Sequence, residues 1–268
     1  MSRGAPLLAL AAALACAPAL RAPAPLPPSR GGEGDAARLL AEAEEAFAHR
    51  PDPAEVRRAA GLYRQAAQAA PLAIEGLYGA ARAAVWLAQR ERSGEERARR
   101  AAEAVELGQL CEARAPADAR CDYALALALG VQARERTATV REGLRLMVER
   151  LRRAAERDPA LDDAGPERVL ALVLLRAPAW PVGPGDPEEG LAAARKAEAR
   201  APEFPPNPLA LAEGLAASGD VAAARAAAQR GLALAEARKA AGDPDAEEWI
   251  AEARRLIASI GEAAAPDP

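Results

Sequence analysis

The sequence predicts an all-α solenoid built from stacked helical hairpins, and three observations support this fold class. Hydrophobic residues make up 51% of the 268 positions, whereas aromatic residues make up only 3%. Most of the apolar residues are Ala and Leu, which favour helices, and β-branched residues are few. Proline also recurs at a nearly constant interval. The alternative fold is a closed helical bundle, because alanine-rich helices match repeat patterns by chance.

The spacing of four prolines indicates the type of hairpin. Pro71, Pro116, Pro159 and Pro202 are 45, 43 and 43 residues apart. Ala66, Tyr63 and Ala59 stand five, eight and twelve residues before Pro71, at offsets typical of the second helix of a tetratricopeptide repeat. In such a repeat, small residues let two helices approach closely and a large one fills the gap. The matches before the later prolines are looser: Cys111, Gly108 and Ala104; Ala154, Leu151 and Met147; Ala197, Ala194 and Gly190.

The clearest single unit spans residues 162–207. A helix is predicted to start near Pro166, and a second helix is predicted from about Pro187 to Arg200. Between them lies a loop rich in proline and glycine, from Arg176 to Pro187. Proline is tolerated in the first helical turn and stops a helix that reaches it. Because one hairpin cannot bury its apolar faces alone, stacked copies are required.

The repeat domain is predicted to span residues 35–260. Its first helix follows Asp35, a good N-cap residue. The last hairpin runs from Pro208 to about Ala235, and a capping helix from Asp243 ends near Ile260. We expect the tail, residues 261–268, to be disordered.

The N-terminal residues predict export from the cytoplasm. Residues 1–20 have the short apolar stretch of a signal peptide, and residues 21–34 form a tether rich in proline and glycine. Leu14-Ala15-Cys16 resembles a lipobox, so Cys16 is a candidate for lipidation and for anchoring to the outer membrane. The alternative is cleavage after Ala17-Pro18-Ala19, which would release an unanchored periplasmic protein.

Composition argues against several classes of function. The 39 acidic and 35 basic residues are interspersed, which disfavours a nucleic-acid surface. His49 is the single histidine, so nucleophile systems that need a histidine and histidine-rich zinc sites are disfavoured. Paired acids such as Glu188-Glu189 lie at helix starts, where they complement the helix dipole. The sequence therefore predicts no catalytic residue, no metal site and no cofactor.

Two groups of residues, a pair of cysteines and three residues of the Arg176–Pro187 loop, are candidates for contacts. Cys111 and Cys121 lie on helices expected to pack together, so in an exported protein they either form a disulfide or remain buried thiols.

In the Arg176–Pro187 loop, Trp180 stands between prolines, a constraint that lowers the entropy lost on binding a partner. Arg176, at the start of this loop, is placed to pair with an anionic group, and Asp186 closes the loop. The alternative for Trp180 is that it covers the solenoid's own core.

Residues 95–235 resemble a known family, the T components associated with tripartite ATP-independent periplasmic (TRAP) transporters, also called TatT proteins. The residues that carry the resemblance are Asp163-Ala-Gly-Pro166, the Arg176–Pro187 loop, Glu189-Gly-Leu191, Phe204-Pro-Pro-Asn207 and Leu209–Glu213. The resemblance implies a periplasmic, usually lipid-anchored helical-repeat protein that can self-associate. It also implies a role with a solute-binding protein in capturing small acidic or hydrophobic ligands. Because Asn207 is part of a motif that carries the resemblance, it is also a candidate contact residue.

These features support two hypotheses that differ in the partner. The first is a non-enzymatic binding scaffold that assists TRAP-type uptake through a periplasmic solute-binding protein. The second is a general tetratricopeptide adaptor for the assembly of envelope or outer-membrane proteins. An enzyme is disfavoured by the single histidine and by the absence of a nucleophile motif.

Overall fold

The computed structural model describes residues 20–27 and 33–263, and these residues form eleven α-helices with no strand. The helices are α1 (Glu33–Ala48), α2 (Pro53–Ala69), α3 (Glu75–Arg90), α4 (Gly94–Arg114), α5 (Ala119–Glu135), α6 (Val140–Arg157), α7 (Leu161–Arg176), α8 (Pro187–Arg200), α9 (Pro206–Ala217), α10 (Val221–Ala240) and α11 (Ala246–Ala263). A short 3₁₀ turn, Thr137–Thr139, precedes α6. The prediction of an all-α solenoid is confirmed.

Polar side chains and prolines set where many of the helices begin. In several helices a side-chain oxygen accepts a backbone N–H of the first turn, which satisfies an otherwise unpaired donor. These N-cap residues are Asp52, Ser93, Asp118, Asp186 and Asp220. Several boundaries differ from the prediction, and one of them is the end of α10, which continues to Ala240 rather than ending near Ala235. The first helix begins at Glu33 rather than after Asp35, and the last continues to Ala263, three residues beyond Ile260.

The helices form two layers. Each odd-numbered helix from α1 to α9 packs against the next odd-numbered one, whereas the backbones of the even-numbered helices in the described part of the chain approach only those of their neighbours in sequence. The odd-numbered helices therefore make the inner layer of the solenoid and the even-numbered ones the outer layer. The hairpins are α1–α2, α3–α4, α5–α6, α7–α8 and α9–α10, with α11 at the end.

Close contact between α2 and α3 shows how small residues permit this packing. The side chain of Tyr63 is buried between the two helices. A Cβ atom added to Gly79 would lie 2.4 Å from the Tyr63 ring, and one added to Gly76 would lie 2.5 Å from the backbone nitrogen of Ala67. Tyr63 thus fills the gap between helices, as its offset from Pro71 predicts.

The N-terminal segment lies partly on the folded domain. Residues 20–27 form no helix or strand, and Leu20 and Leu26 pack half-buried against the hydrophobic core. The first part of the predicted tether is therefore in contact with the domain. Cys16 and the rest of residues 1–19 lie outside the described residues, as do residues 28–32 and 264–268. Within the described ranges, no helix is long and apolar enough to cross a membrane.

A disulfide joins the second and third hairpins, and a buried carboxylate beside it joins the two helices of the third. The structure links Cys111 in α4 to Cys121 in α5, with their Cα atoms 5.2 Å apart. Beside this bridge, the fully buried Asp122 accepts hydrogen bonds from Arg153, with its Nε at 3.0 Å, and from Arg157. Because breaking a buried ion pair leaves a charge without compensation, these contacts hold α6 firmly against α5.

We expect the Cys111→Ala/Cys121→Ala double variant to lose about 2–3 kcal/mol of unfolding free energy, because the bridge restricts the unfolded chain. Urea denaturation followed by circular dichroism measures this loss. Reductant should lower the midpoint of the natural protein and leave that of the double variant unchanged. If the natural protein and the double variant had equal midpoints under oxidising conditions, Cys111 and Cys121 would be two reduced thiols instead.

Candidate functional site

The loop between α7 and α8 is held in place by its own backbone. The N–H of Gly185 donates to the carbonyl oxygen of Pro178 at 2.9 Å, and the N–H of Asp186 donates to that of Leu174 at 3.0 Å. A Cβ atom on Gly185 would lie 2.1 Å from the carbonyl oxygen of Ala177, so only glycine allows the two ends of the loop to approach this closely. The loop is therefore ordered before any partner binds.

This ordered loop presents two apolar side chains to solvent. Trp180 is 84% exposed and Val182 is 66% exposed. Together with Leu72, they are the exposed large apolar side chains in the described part of the chain. The structure contradicts the interpretation in which Trp180 covers the solenoid's core. The indole is instead available for contact.

Arg176 and Asp186, at the two ends of the loop, are both engaged within the protein. The Nε of Arg176 donates to Glu213 at 2.9 Å, and its Nη2 lies 3.4 Å from Glu252. Glu252 is partly buried, and burial raises the pKa of its carboxyl group. Asp186 caps α8, since its Oδ1 accepts the N–H of Glu189 at 3.0 Å. The positive charge of Arg176 is thus already matched by carboxylates.

Asn207 is completely buried and connects two hairpins. Its side-chain amide donates to the carbonyl oxygens of Asp163 at 3.0 Å and Ala201 at 2.8 Å. Its Oδ1 accepts a hydrogen bond from Arg168 at 3.1 Å. All of these partners are within the protein, so the structure gives Asn207 a place in the core and not on a contact surface.

The hydrogen bonds of Asn207 belong to a network around an unusual turn that interrupts the first residues of α7. Asp162, Asp163 and Ala164 all have left-handed backbone conformations, with φ between 52° and 62°. Such conformations are unfavourable for residues other than glycine and persist only where the surroundings hold them. The guanidinium of the buried Arg168 donates to the carbonyl oxygen of Asp163 at 3.0 Å and to the Asp162 carboxylate at 3.1 Å. The hydroxyl of Tyr123 donates to the same carboxylate at 2.8 Å.

This network borders a chamber on the inner side of the solenoid. The chamber has a volume of about 340 Å³ and is formed by residues of α3, α7, α9 and α11 together with the segments next to α9 and α11. Three of its lining residues are the aromatic side chains of Trp86, Phe204 and Trp249. Phe204 and Trp249 make an edge-to-face contact with ring centroids 5.2 Å apart, and Arg168 lies over the Phe204 ring. The aromatic side chains of this chain are few, and the fold concentrates three of them here.

Ion pairs beside the chamber connect the two ends of the solenoid. Arg50, between α1 and α2, makes a two-pronged ion pair with Asp245 just before α11, with N–O distances of 3.1 and 2.8 Å. Arg90 at the end of α3 pairs with Glu248 in α11. Among the described residues, no backbone contact joins α11 to α1 or α3. Side chains alone therefore bridge the open side of the inner face.

The candidate residues from the sequence fall in two separate places. Arg176 and Asn207 support the wall of the inner chamber through Glu252 and Arg168 respectively. Trp180 and Asp186 lie on the other side, where the loop meets α6 in a surface groove. No group of three or more potential metal ligands occurs among residues 20–27 and 33–263. One place lies on the inner side of the solenoid and the other on its outer surface.

Arg168, Phe204 and Trp249 form the inner chamber, and the sequence alone marks none of them as a binding residue. In the sequence, Phe204 is noted only as part of the Phe204-Pro-Pro-Asn207 motif, and Trp249 lies within the predicted capping helix. The low aromatic content is a usable signal, because a rare large side chain often marks a gap that needs filling. The pairing of Arg50 with Asp245 gives no local signal, since 195 residues separate the two.

Comparisons with known proteins identify the fold. No protein-family model matches the chain, and no curated protein matches it significantly. Among solved structures, the thermophilic TPR protein TTC0263 of Thermus thermophilus is similar, with a TM-score of 0.60 and 21% identity over 81% of this chain and 98% of that chain. The MamA protein has a TM-score of 0.47 and 14% identity over 75% and 92% of the two chains. The likeness to TTC0263 shows that this chain has a tetratricopeptide-like helical-repeat fold.

We expect Asn207→Ala to lower the free energy of unfolding by about 3 kcal/mol, because two buried carbonyl groups and Arg168 lose a partner. Chemical denaturation measures the change. Gln89→Ala, an exposed substitution on the same inner face, is the control and should change stability by less than about 0.5 kcal/mol. Similar small effects of both substitutions would show that the buried amide contributes little.

The pairing of Arg50 with Asp245 can be measured by a double-mutant cycle with Arg50→Gln and Asp245→Asn. We expect a coupling energy of about 1 kcal/mol, which should fall as salt is added. The exposed pair Arg38–Glu42 within α1 is the control, and its coupling should be about 0.3–0.5 kcal/mol. A coupling no larger than that of the control would mean that the bridge does not hold the ends together.

Proposed function

We propose that this protein is a non-enzymatic binding scaffold of the bacterial cell envelope that assists TRAP-type solute uptake by contacting a periplasmic solute-binding protein. The observation that carries the proposal is the ordered loop that exposes Trp180 and Val182. Tryptophan is enriched among the residues that dominate binding at protein interfaces. Because the loop is already held by backbone hydrogen bonds, little entropy is lost when it meets a partner.

The fold and the resemblance support the same proposal. Helical-repeat folds offer extended surfaces to protein partners, and a tetratricopeptide-like fold favours a scaffold over an enzyme. The resemblance to TatT proteins includes the loop from Arg176 to Pro187 itself. The predicted signal peptide and the Cys111–Cys121 bridge suit an oxidising compartment such as the periplasm. The proposal also includes lipidation of Cys16, which the lipobox and the resemblance support, and self-association, which the resemblance implies.

A general tetratricopeptide adaptor is the second candidate. Such an adaptor would hold an extended peptide along its inner face, and the inner layer of odd-numbered helices favours this candidate. However, Arg50–Asp245 and Arg90–Glu248 bridge the open side of that face and leave a chamber of about 340 Å³. A chamber of this shape suits a compact group better than an extended peptide. We therefore favour the exposed loop as the contact surface.

The proposal is tested by affinity capture from solubilised envelope extract with the tagged protein, followed by mass spectrometry. We expect a TRAP-type solute-binding protein in the captured fraction and its loss, by at least about tenfold, with Trp180→Ala. The matched control is Leu72→Ala, which removes the other strongly exposed apolar side chain, in the α2–α3 turn.

Each outcome separates the candidates. Capture that survives Trp180→Ala but is lost with Leu72→Ala would place the contact on the first hairpins and contradict the loop assignment. Recovery of envelope assembly factors, without a solute-binding protein, would favour the adaptor. Binding between the purified protein and the purified solute-binding protein, measured with the same two variants, then confirms a direct contact.

A further inference from the structure

A second cavity lies between α5, α6 and α7, next to the start of the α7–α8 loop. Its volume is about 470 Å³, which falls in the range of small-molecule sites. Most of its wall is aliphatic, and the deepest parts are formed by buried side chains such as Met147 and Val131. Half-buried aliphatic side chains complete the wall: Leu144, Val169, Leu172 and Val173.

The mouth of this cavity is polar and positively charged. Its exposed lining residues are Gln89, Arg134, Arg176 and Pro178, and no carboxylate of the described residues lines the cavity. The charge of Arg176 is matched by Glu213 and Glu252. Arg134 differs, since it has no ion-pair partner among the residues that the structure describes. One unmatched guanidinium therefore stands at the entrance of an apolar cavity.

We propose that this cavity binds a free aliphatic monocarboxylate, with its chain in the cavity and its carboxylate on Arg134. An aliphatic chain gains free energy by leaving water for this wall, and a guanidinium matches a carboxylate with two parallel hydrogen bonds. A single unmatched charge and a cavity of this size suit one chain with one acidic group. The lack of acidic side chains in the described lining removes a source of repulsion. This site goes beyond the scaffold function and needs no protein partner.

Isothermal titration calorimetry of the full folded protein tests the site, with decanoate below its micelle concentration as the probe. We expect decanoate to bind, and decan-1-ol and decyltrimethylammonium to bind at least about tenfold more weakly, because neither can pair with Arg134. Arg134→Gln should weaken decanoate binding about tenfold. Arg141→Gln, an exposed substitution on α6 outside the cavity, is the matched control and should leave binding unchanged.

A filling substitution tests the place of the chain. Leu144→Trp should abolish decanoate binding while the melting temperature stays the same or rises, because a filled cavity does not weaken the core. If this variant does not fold, the comparison of decanoate with the two other probes and the effect of Arg134→Gln still test whether the cavity binds the carboxylate. The proposal is overturned if decanoate does not bind, or if Arg134→Gln binds it as tightly as the natural protein. Binding to phosphatidylglycerol vesicles without binding to free decanoate would also overturn it, because the ligand would then be a membrane lipid.

Discussion

Close approach between neighbouring helices is the constraint on which the rest of the structure depends. Alanine and glycine line most helix contacts, and at Gly108 and Gly214 an added Cβ would come within 2.9 Å of the facing leucine. Such spacing leaves little room for large side chains, which explains why aromatic residues are few. Where a large residue does occur inside, as with Tyr63, it fills a gap that glycine leaves open. The cavities and the inner chamber lie where this close packing is interrupted.

The inner chamber depends on buried polar contacts more than on apolar packing. Arg168 and Asn207 hold the turn at Asp162 in its left-handed conformation and link α7 to the start of α9. Gly165 follows this turn, and a Cβ atom there would lie 2.5 Å from the Tyr123 hydroxyl. These hydrogen bonds therefore support the wall of the chamber where α7 meets α9. The loop that carries Trp180 is attached to the far end of the same helix.

The local elements of the fold could be predicted well from the sequence, and the long-range contacts poorly. Proline fixes helix ends through its own geometry, so the limits of α8 and the loop before it could be predicted. The left-handed turn at Asp162 could not be predicted, since aspartate adopts this conformation only occasionally and alanine rarely, and tertiary contacts hold it here. Asn207 stands out in the sequence through its motif, but its burial depends on how two hairpins meet. The Arg50–Asp245 pair depends on the curvature of the whole solenoid, which no local pattern determines.

In a linear array of repeats, each hairpin is supported only by its neighbours, and the two terminal hairpins are the least protected. In this protein the last helix and the residue before it also reach the first two hairpins, through Glu248 with Arg90 and through Asp245 with Arg50. Unfolding of either end therefore removes a support from the opposite end. The two ends protect each other against fraying, and this cooperation between hairpins most distant in sequence weakens when salt screens the charges.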